Sequence, residues 1–340
     1  RRRVGRRITH RRDAAFTVNV LVTGATSLIG RHTVAALEAR GDTVTTLQRG
    51  PTDLGSRQVA GSIADPDVLA AACNGQDGVI HLAARVGVTG DEADFETVNV
   101  DGTRLLIAAA RGAGVASFVY VSSPSVAHHG RPLVGAPAGP ADPGRTRGHY
   151  ATTKARAELA ALAASSAAMP VVAIRPHLVW GPHDQQLVGR IIGRARHGRL
   201  FLVGAGTALV DTTYVDNAAD ALVAALDQAG ALAGRALVVT NGEPRTVHEL
   251  VVRIIAAAGV EWSPRSVPTI VARAGGAIAE RIWDVTGSEQ DPPMTSFLAE
   301  QLSTAHWFDQ RETRAALGWS PRVSLADGFD RLRRSFDVGD

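Results

Sequence analysis

One stretch constrains the fold more than any other. Residues 18–30 read Val-Asn-Val-Leu-Val-Thr-Gly-Ala-Thr-Ser-Leu-Ile-Gly, an apolar run that ends in a glycine-marked turn and passes into a helix-forming segment. Gly24 allows a tight turn, and Gly30 lets the following helix lie close to the sheet. The first N–H groups of such a helix, with the positive end of its dipole, form a cradle for a pyrophosphate. The candidate cradle is Thr23, Gly24, Thr26, Ser27, Leu28, Ile29 and Gly30. Ser27 stands where loops of this type usually carry a middle glycine, so an ordinary strand–turn–helix connection is the competing reading.

The chain beyond this turn has the texture of a parallel α/β sheet. Short apolar runs alternate with amphipathic stretches, which predicts strands over 18–23, 43–47, 79–83, 117–122 and 171–175. Helices are expected over 29–40, 66–73, 94–111 and 150–164. The runs are continuously apolar, as in strands covered on both faces. After Pro176 the pattern shortens and Gly-Pro turns multiply. The expected organisation is an arm over 1–16, a doubly wound nucleotide-binding domain over 17–176 and a smaller substrate-binding lobe over 177–340. A strand near 236–240 returns to the main sheet and interleaves the two.

Composition narrows the class. Seven arginines and one aspartate fall in the first thirteen residues, so the rest of the chain carries −3 although the total is +3. The arm has no aromatic residues between its charges and no apolar core, so it resembles neither a nucleic-acid module nor a secretory signal; a disordered arm is expected. The single Cys73 excludes an internal disulfide and fits a reducing, cytoplasmic setting. No uncharged apolar run is long enough to span a membrane. The histidines, among them His81, His128, His129, His177 and His183, show no metal-ligand spacing.

Of the 36 basic residues only one is lysine, Lys154. It stands four residues after Tyr150, on the same face of a helix. A phenol is a poor base at neutral pH, and a neighbouring ammonium is expected to lower its pKa toward the working range. With three tyrosines and one lysine in the chain, such spacing arises by chance roughly once in 100 such chains. Ser123 ends an apolar strand where strand ends meet a ligand cleft, and its hydroxyl can orient a substrate oxygen. At the end of the second strand an acid would bind ribose hydroxyls, whereas an arginine accepts a 2′-phosphate. Here Gln48-Arg49 stands there, with Arg31 nearby, which favours NADP(H) over NAD(H).

Together these residues resemble the extended short-chain dehydrogenase/reductase family (NAD-dependent epimerase/dehydratases) over about 18–332. The loop 23–30 is similar to that family's glycine motif except at Ser27. His81-Leu82-Ala83-Ala84 matches its adenosine-lining stretch, and Asn99 with Gly102-Thr103 its next helix motif. Arg175-Pro176, Trp180-Gly181-Pro182 and Tyr214-Val215-Asp216-Asn217 match later segments. Within the family, Ser122–Val126, Tyr150–Lys154, Arg175-Pro176-His177 and Pro292-Pro293 look most like the 3β-hydroxysteroid and sterol dehydrogenase branch, which includes 2-alkyl-3-oxoalkanoate reductases. The resemblance implies hydride transfer at a 3-oxo or 3-hydroxy group of a small hydrophobic substrate, and a homodimer. It implies catalysis by Ser123, Tyr150, Lys154 and Asn99, with cofactor contacts from Leu82, Ala83, Ala84, Arg49, Tyr150, Lys154 and Pro176. Pro124 and Ser125 replace the acid pair of the dehydratases. A sugar-nucleotide epimerase and a non-catalytic NADP-sensing binding protein are the alternatives.

Overall fold

The computed structural model describes residues 17–87, 90–286 and 295–337. The arginine-rich arm and Pro292-Pro293 lie outside them. Seven parallel strands form the central sheet in the order Ala236–Val239, Val171–Pro176, Ser117–Val121, Gly78–His81, Asn19–Thr23, Thr43–Gln48, Arg57–Ala60. Chain order reverses between Asn19–Thr23 and Gly78–His81, so the carboxyl ends of these neighbours open the crevice where doubly wound sheets bind ligands.

Residue alternation divides the core. Val20 and Val22 point to one face with Ile80 and Val119, under helices Leu28–Ala39 and Val215–Asp227. Leu21, Val79, Phe118 and Tyr120 point to the other, under helices Pro66–Cys73, Gly102–Gly112 and His149–Ala163. Both faces being covered, these strands need apolar residues at every position, hence their unbroken apolar runs.

Three departures from the expected elements have local causes. The strand expected to reach residue 83 ends at His81, because Leu82 N donates to Thr23 O at 3.1 Å and Ala83 N to the Thr23 hydroxyl at 3.2 Å. The helix expected over 94–111 is broken by a π-helical turn, Glu96–Asp101. Gly102 follows it because a Cβ there would lie 2.8 Å from Ile63. The polar edge strand Arg57–Ala60 has a single sheet neighbour and no apolar run to announce it.

Beyond the sheet's edge, helices Val188–Arg196, Val247–Ala257 and Leu325–Asp337 enclose a further core. There Trp180 stacks on Phe329 with ring centroids 4.5 Å apart. Gly328 makes room for this packing, since a Cβ would lie 2.7 Å from Tyr214. Asn217 ties that core to the main sheet, donating to Asn241 Oδ1 and Val323 O and accepting from Arg322 N and Val323 N.

One ion pair locks the Tyr150 helix to the sheet. Arg175 and Glu158 are each 1% exposed, with Arg175 Nε donating to Glu158 at 2.9 Å. Arg175 also donates to the carbonyls of Ala138 and Gly139. Removing one partner strands a buried charge, so Arg175→Met is expected to lower stability by about 3–5 kcal/mol. Urea unfolding checks this, and the double variant Arg175→Met/Glu158→Leu should recover most of the loss.

Candidate active site

The glycine loop is held by its own side chains. Ser27, at the place of the usual glycine, caps helix Leu28–Ala39: its hydroxyl accepts from Gly30 N at 3.1 Å and donates to Gly24 O at 2.8 Å. A serine thus stabilises the helix start that a glycine would only permit. Gly24 has φ +72°, and a Cβ there would lie 2.7 Å from Ala83 N. A Cβ at Gly30 would lie 2.8 Å from the Ala25 Cα. The loop therefore lies flush on Leu82–Ala83, leaving the first N–H groups of the helix, around Leu28 and Ile29, without intrahelical acceptors. The residues present fit a dinucleotide pyrophosphate.

Behind the loop runs a buried polar chain. His81 Nδ1 is 2.7 Å from Thr23 Oγ1, and its Nε2 is 2.9 Å from Thr103 Oγ1. Burial drives the imidazole pKa down to about 3, so the ring is neutral. At the end of the second strand the Gln48 carboxamide turns inward: its oxygen accepts from Thr26 N at 3.0 Å and from Ala25 N, and its nitrogen donates to Thr26 Oγ1. Arg49 follows, exposed. Arg31 is paired with Asp53 at 2.6 Å, so it stands as half of a surface ion pair rather than as a free cation.

Tyr150 and Lys154 lie in the first turns of helix His149–Ala163. Lys154 is 3% exposed; its ammonium donates to Val121 O at 2.6 Å and sits 4.1 Å from the Tyr120 ring centre. Burial lowers its pKa to about 7, against the opposing pull of Glu158. Burial also raises the Tyr150 pKa, opposed by a hydrogen bond with Ser123. The lowered phenol pKa expected from the Tyr–Lys spacing is therefore not what the fold produces: loss of water outweighs the hydrogen bond with Ser123, and the phenol holds its proton more tightly. Ser123 caps a short 3₁₀ turn, Pro124–Ala127, and accepts from Ser125 N and Ser125 Oγ.

Asn99 is fully engaged elsewhere. Its amide clasps the Arg85 backbone at 2.8 and 3.1 Å and donates to Thr153 Oγ1 at 3.0 Å. It ties helix His149–Ala163 to the Arg85 backbone through Thr153. Pro176 closes its strand and lines a cavity of about 310 Å³ that also opens onto Ser123. The cavity walls are aliphatic, supplied by Leu187, Ile191 and the Val247, Leu250, Val251 and Ile254 face of one helix. His128, His177, Gln301 and His306 also line the cavity. Sequence reasoning named His128 and His177 among histidines without ligand spacing, and Thr103 within a motif; it did not find Gln301, His306 or Glu158. The apolar spacing in 247–254 is the one signal that could have pointed to the wall.

Comparison with known proteins agrees with this geometry. Residues 20–239 match the model of the NAD dependent epimerase/dehydratase family. The chain belongs to that family. It is 41% identical to a 2-alkyl-3-oxoalkanoate reductase of Stenotrophomonas maltophilia, over 94% of this chain and 99% of that one. It is 29% identical to the human sterol-4-alpha-carboxylate 3-dehydrogenase, decarboxylating, over 93% of this chain and 87% of the other. Among solved structures it resembles MoeE5 in complex with UDP-glucuronic acid and NAD, with a TM-score of 0.72, 25% identity and coverage of 95% and 100%. Among the described residues, no helix is long and apolar enough to cross a membrane.

Proposed function

We propose that the protein is an NADP(H)-preferring oxidoreductase that reduces the 3-oxo group of a hydrophobic 3-oxo acid of the 2-alkyl-3-oxoalkanoate type. The observation that carries this reading is the aliphatic cavity, which Ser123 helps to line. Such walls suit an alkyl chain and offer little to the hydroxyls of a sugar nucleotide. The 41% identity to a reductase of that name supports the same substrate class. In the sterol relative, too, the name places a carboxylate beside the reacting 3-position.

A bound nicotinamide dinucleotide supplies the hydride. The protein supplies orientation and a proton. The loop Gly24–Gly30 would hold the pyrophosphate, Leu82–Ala84 the adenosine side, Arg49 the 2′-phosphate and Pro176 the nicotinamide end. Ser123 fixes the substrate oxygen, and Tyr150 donates its phenolic proton to that oxygen as negative charge develops on it. A phenol whose pKa is raised by burial stands protonated at neutral pH, which suits reduction. Lys154 would hold the nicotinamide ribose, and a group titrating near neutrality beside the phenol can return the proton. The retained Tyr150–Lys154 pair argues for catalysis over a purely sensing role.

Absorbance-monitored NADPH oxidation with a 2-alkyl-3-oxoalkanoate tests the reading. Tyr150→Phe should lower kcat by about 10²–10⁴-fold, the range for loss of a general acid, with cofactor affinity nearly unchanged. A near-normal rate would remove Tyr150 from the mechanism. Arg49→Ala should weaken NADPH binding by about 10-fold or more, as for a lost charge-assisted contact, and NADH little. Equal losses for both cofactors would remove the basis for NADP preference.

A further inference from the structure

Lys154 is a buried cation with an unusual set of neighbours. Its ammonium donates to a neutral acceptor, Val121 O at 2.6 Å. Glu158, one turn further along the same helix, is taken by Arg175, whose Nε donates to it at 2.9 Å. Among the described residues no carboxylate forms an ion pair with Lys154. A buried ammonium needs compensation, because losing water costs an ion far more than it costs a neutral group. What faces this one is a ring. The Tyr120 ring centre lies 4.1 Å from Nζ, inside the ~6 Å within which a cation is attracted to the negative face of an aromatic ring.

The sheet puts Tyr120 there. It stands in register with His81 on one neighbouring strand and Ala173 on the other. Its side chain is fully buried on the face that helix His149–Ala163 covers. Its hydroxyl does not account for it, since Oη is buried without a hydrogen-bond partner among the described residues. Nor is it a second acid: burial first, then Tyr150 and Glu158, hold its pKa well above the ordinary value. What it offers the lysine is the face of a neutral ring. We propose that Tyr120 is a positioning residue for Lys154, its aromatic face and the Val121 carbonyl together taking the place of a carboxylate partner. The consequence for turnover rests on the reading of Tyr150 and Lys154 as the proton-handling pair; the contact itself does not.

The kind of partner matters for the chemistry. A carboxylate in contact would keep the lysine charged far into the alkaline range. A ring attracts the cation more weakly, so burial prevails and the ammonium titrates at about 7, with Glu158 pulling the other way. The groups that bear on it are Tyr150 and Glu158 from its own helix, Tyr120 from one strand and His81 from the next. His81 is neutral, and the charge of Glu158 is shared with Arg175. The ring favours the charged form of the lysine, so weakening the ring lowers the pH at which the proton leaves.

A single lysine makes the test direct. Protein labelled with carbon-13 at the lysine ε position gives one lysine side-chain resonance, followed by NMR across the neutral range. Tyr120→Phe keeps the ring face and should leave the titration midpoint in place. Tyr120→Leu should lower it by about 0.4–1.5 pH units, the span of cation–π strength from exposed to desolvated sites. A trifluorinated phenylalanine at position 120 should lower it in the same direction. Fluorine drains the ring face while nearly keeping its shape, so this protein decides the matter even if the leucine variant does not fold. Equal midpoints for the phenylalanine and trifluorinated proteins would overturn the proposal. In NADPH-dependent reduction, the alkaline fall of kcat/KM should move to lower pH in step with the midpoint, with the Tyr120→Phe profile lying on that of the wild type. A moved midpoint with an unmoved rate profile would remove Lys154 from the proton chemistry and leave the contact standing, so the two failures are told apart.

Discussion

The site depends on a buried histidine that stays neutral at neutral pH. His81 ends one of the two strands flanking the point where sheet order reverses, in register with Thr23 on the other. Its proton has a single consistent position. Thr103 Oγ1 donates to Asn99 O at 2.6 Å, so it accepts from His81 Nε2–H. Nδ1 is then left to accept from the Thr23 hydroxyl, whose oxygen in turn accepts from Ala83 N. Each link has one donor and one acceptor, and a protonated ring would break the chain at Thr23. The same contacts place Ala83 where only a glycine can follow Thr23. The neutral ring, the ladder's end at His81 and the close approach of Gly24 are one arrangement.

Burial also sets the proton chemistry across the crevice. Lys154, the chain's single lysine, is enclosed against the Tyr120 ring and Val121 O, and its affinity for a proton falls. Tyr150 moves the opposite way for the same reason, since its charged form is the one without the proton. Glu158, one turn beyond Lys154, is held by Arg175 and opposes the loss of the lysine's charge. A helix, a strand and the Ala138–Gly139 carbonyls therefore bear on one ammonium group, although only Tyr150 and Lys154 stand out in the sequence.

How much the sequence discloses depends on how local the cause is. Sheet class, the glycine turn and the Tyr150–Lys154 face rest on periodicity and spacing within a few residues, and the sheet and turn are where those patterns put them. The sign of the Tyr150 shift was not legible, because desolvation comes from segments far apart in the chain. Asn99 stands in a recognisable motif, yet its task, clasping Arg85 and Thr153, depends on a π-helical turn that composition does not announce. Nor could spacing show that Gln48 would bond the loop or that Arg31 would meet Asp53. The cavity wall joins 128 to 301 and 306, which lie more than half the chain away from it.

The proposed reaction requires that a hydride end on the 3-carbon of the substrate. Transfer from NADPH deuterated at the reactive C4 position, followed by mass spectrometry of the product, tests this most directly. The expected result is one deuterium at C3 of a 3-hydroxy acid and a stoichiometric yield of oxidised cofactor. Product without deuterium, or turnover that leaves the cofactor unconsumed, would contradict it and point to the epimerase chemistry that other members of the family perform on the same fold.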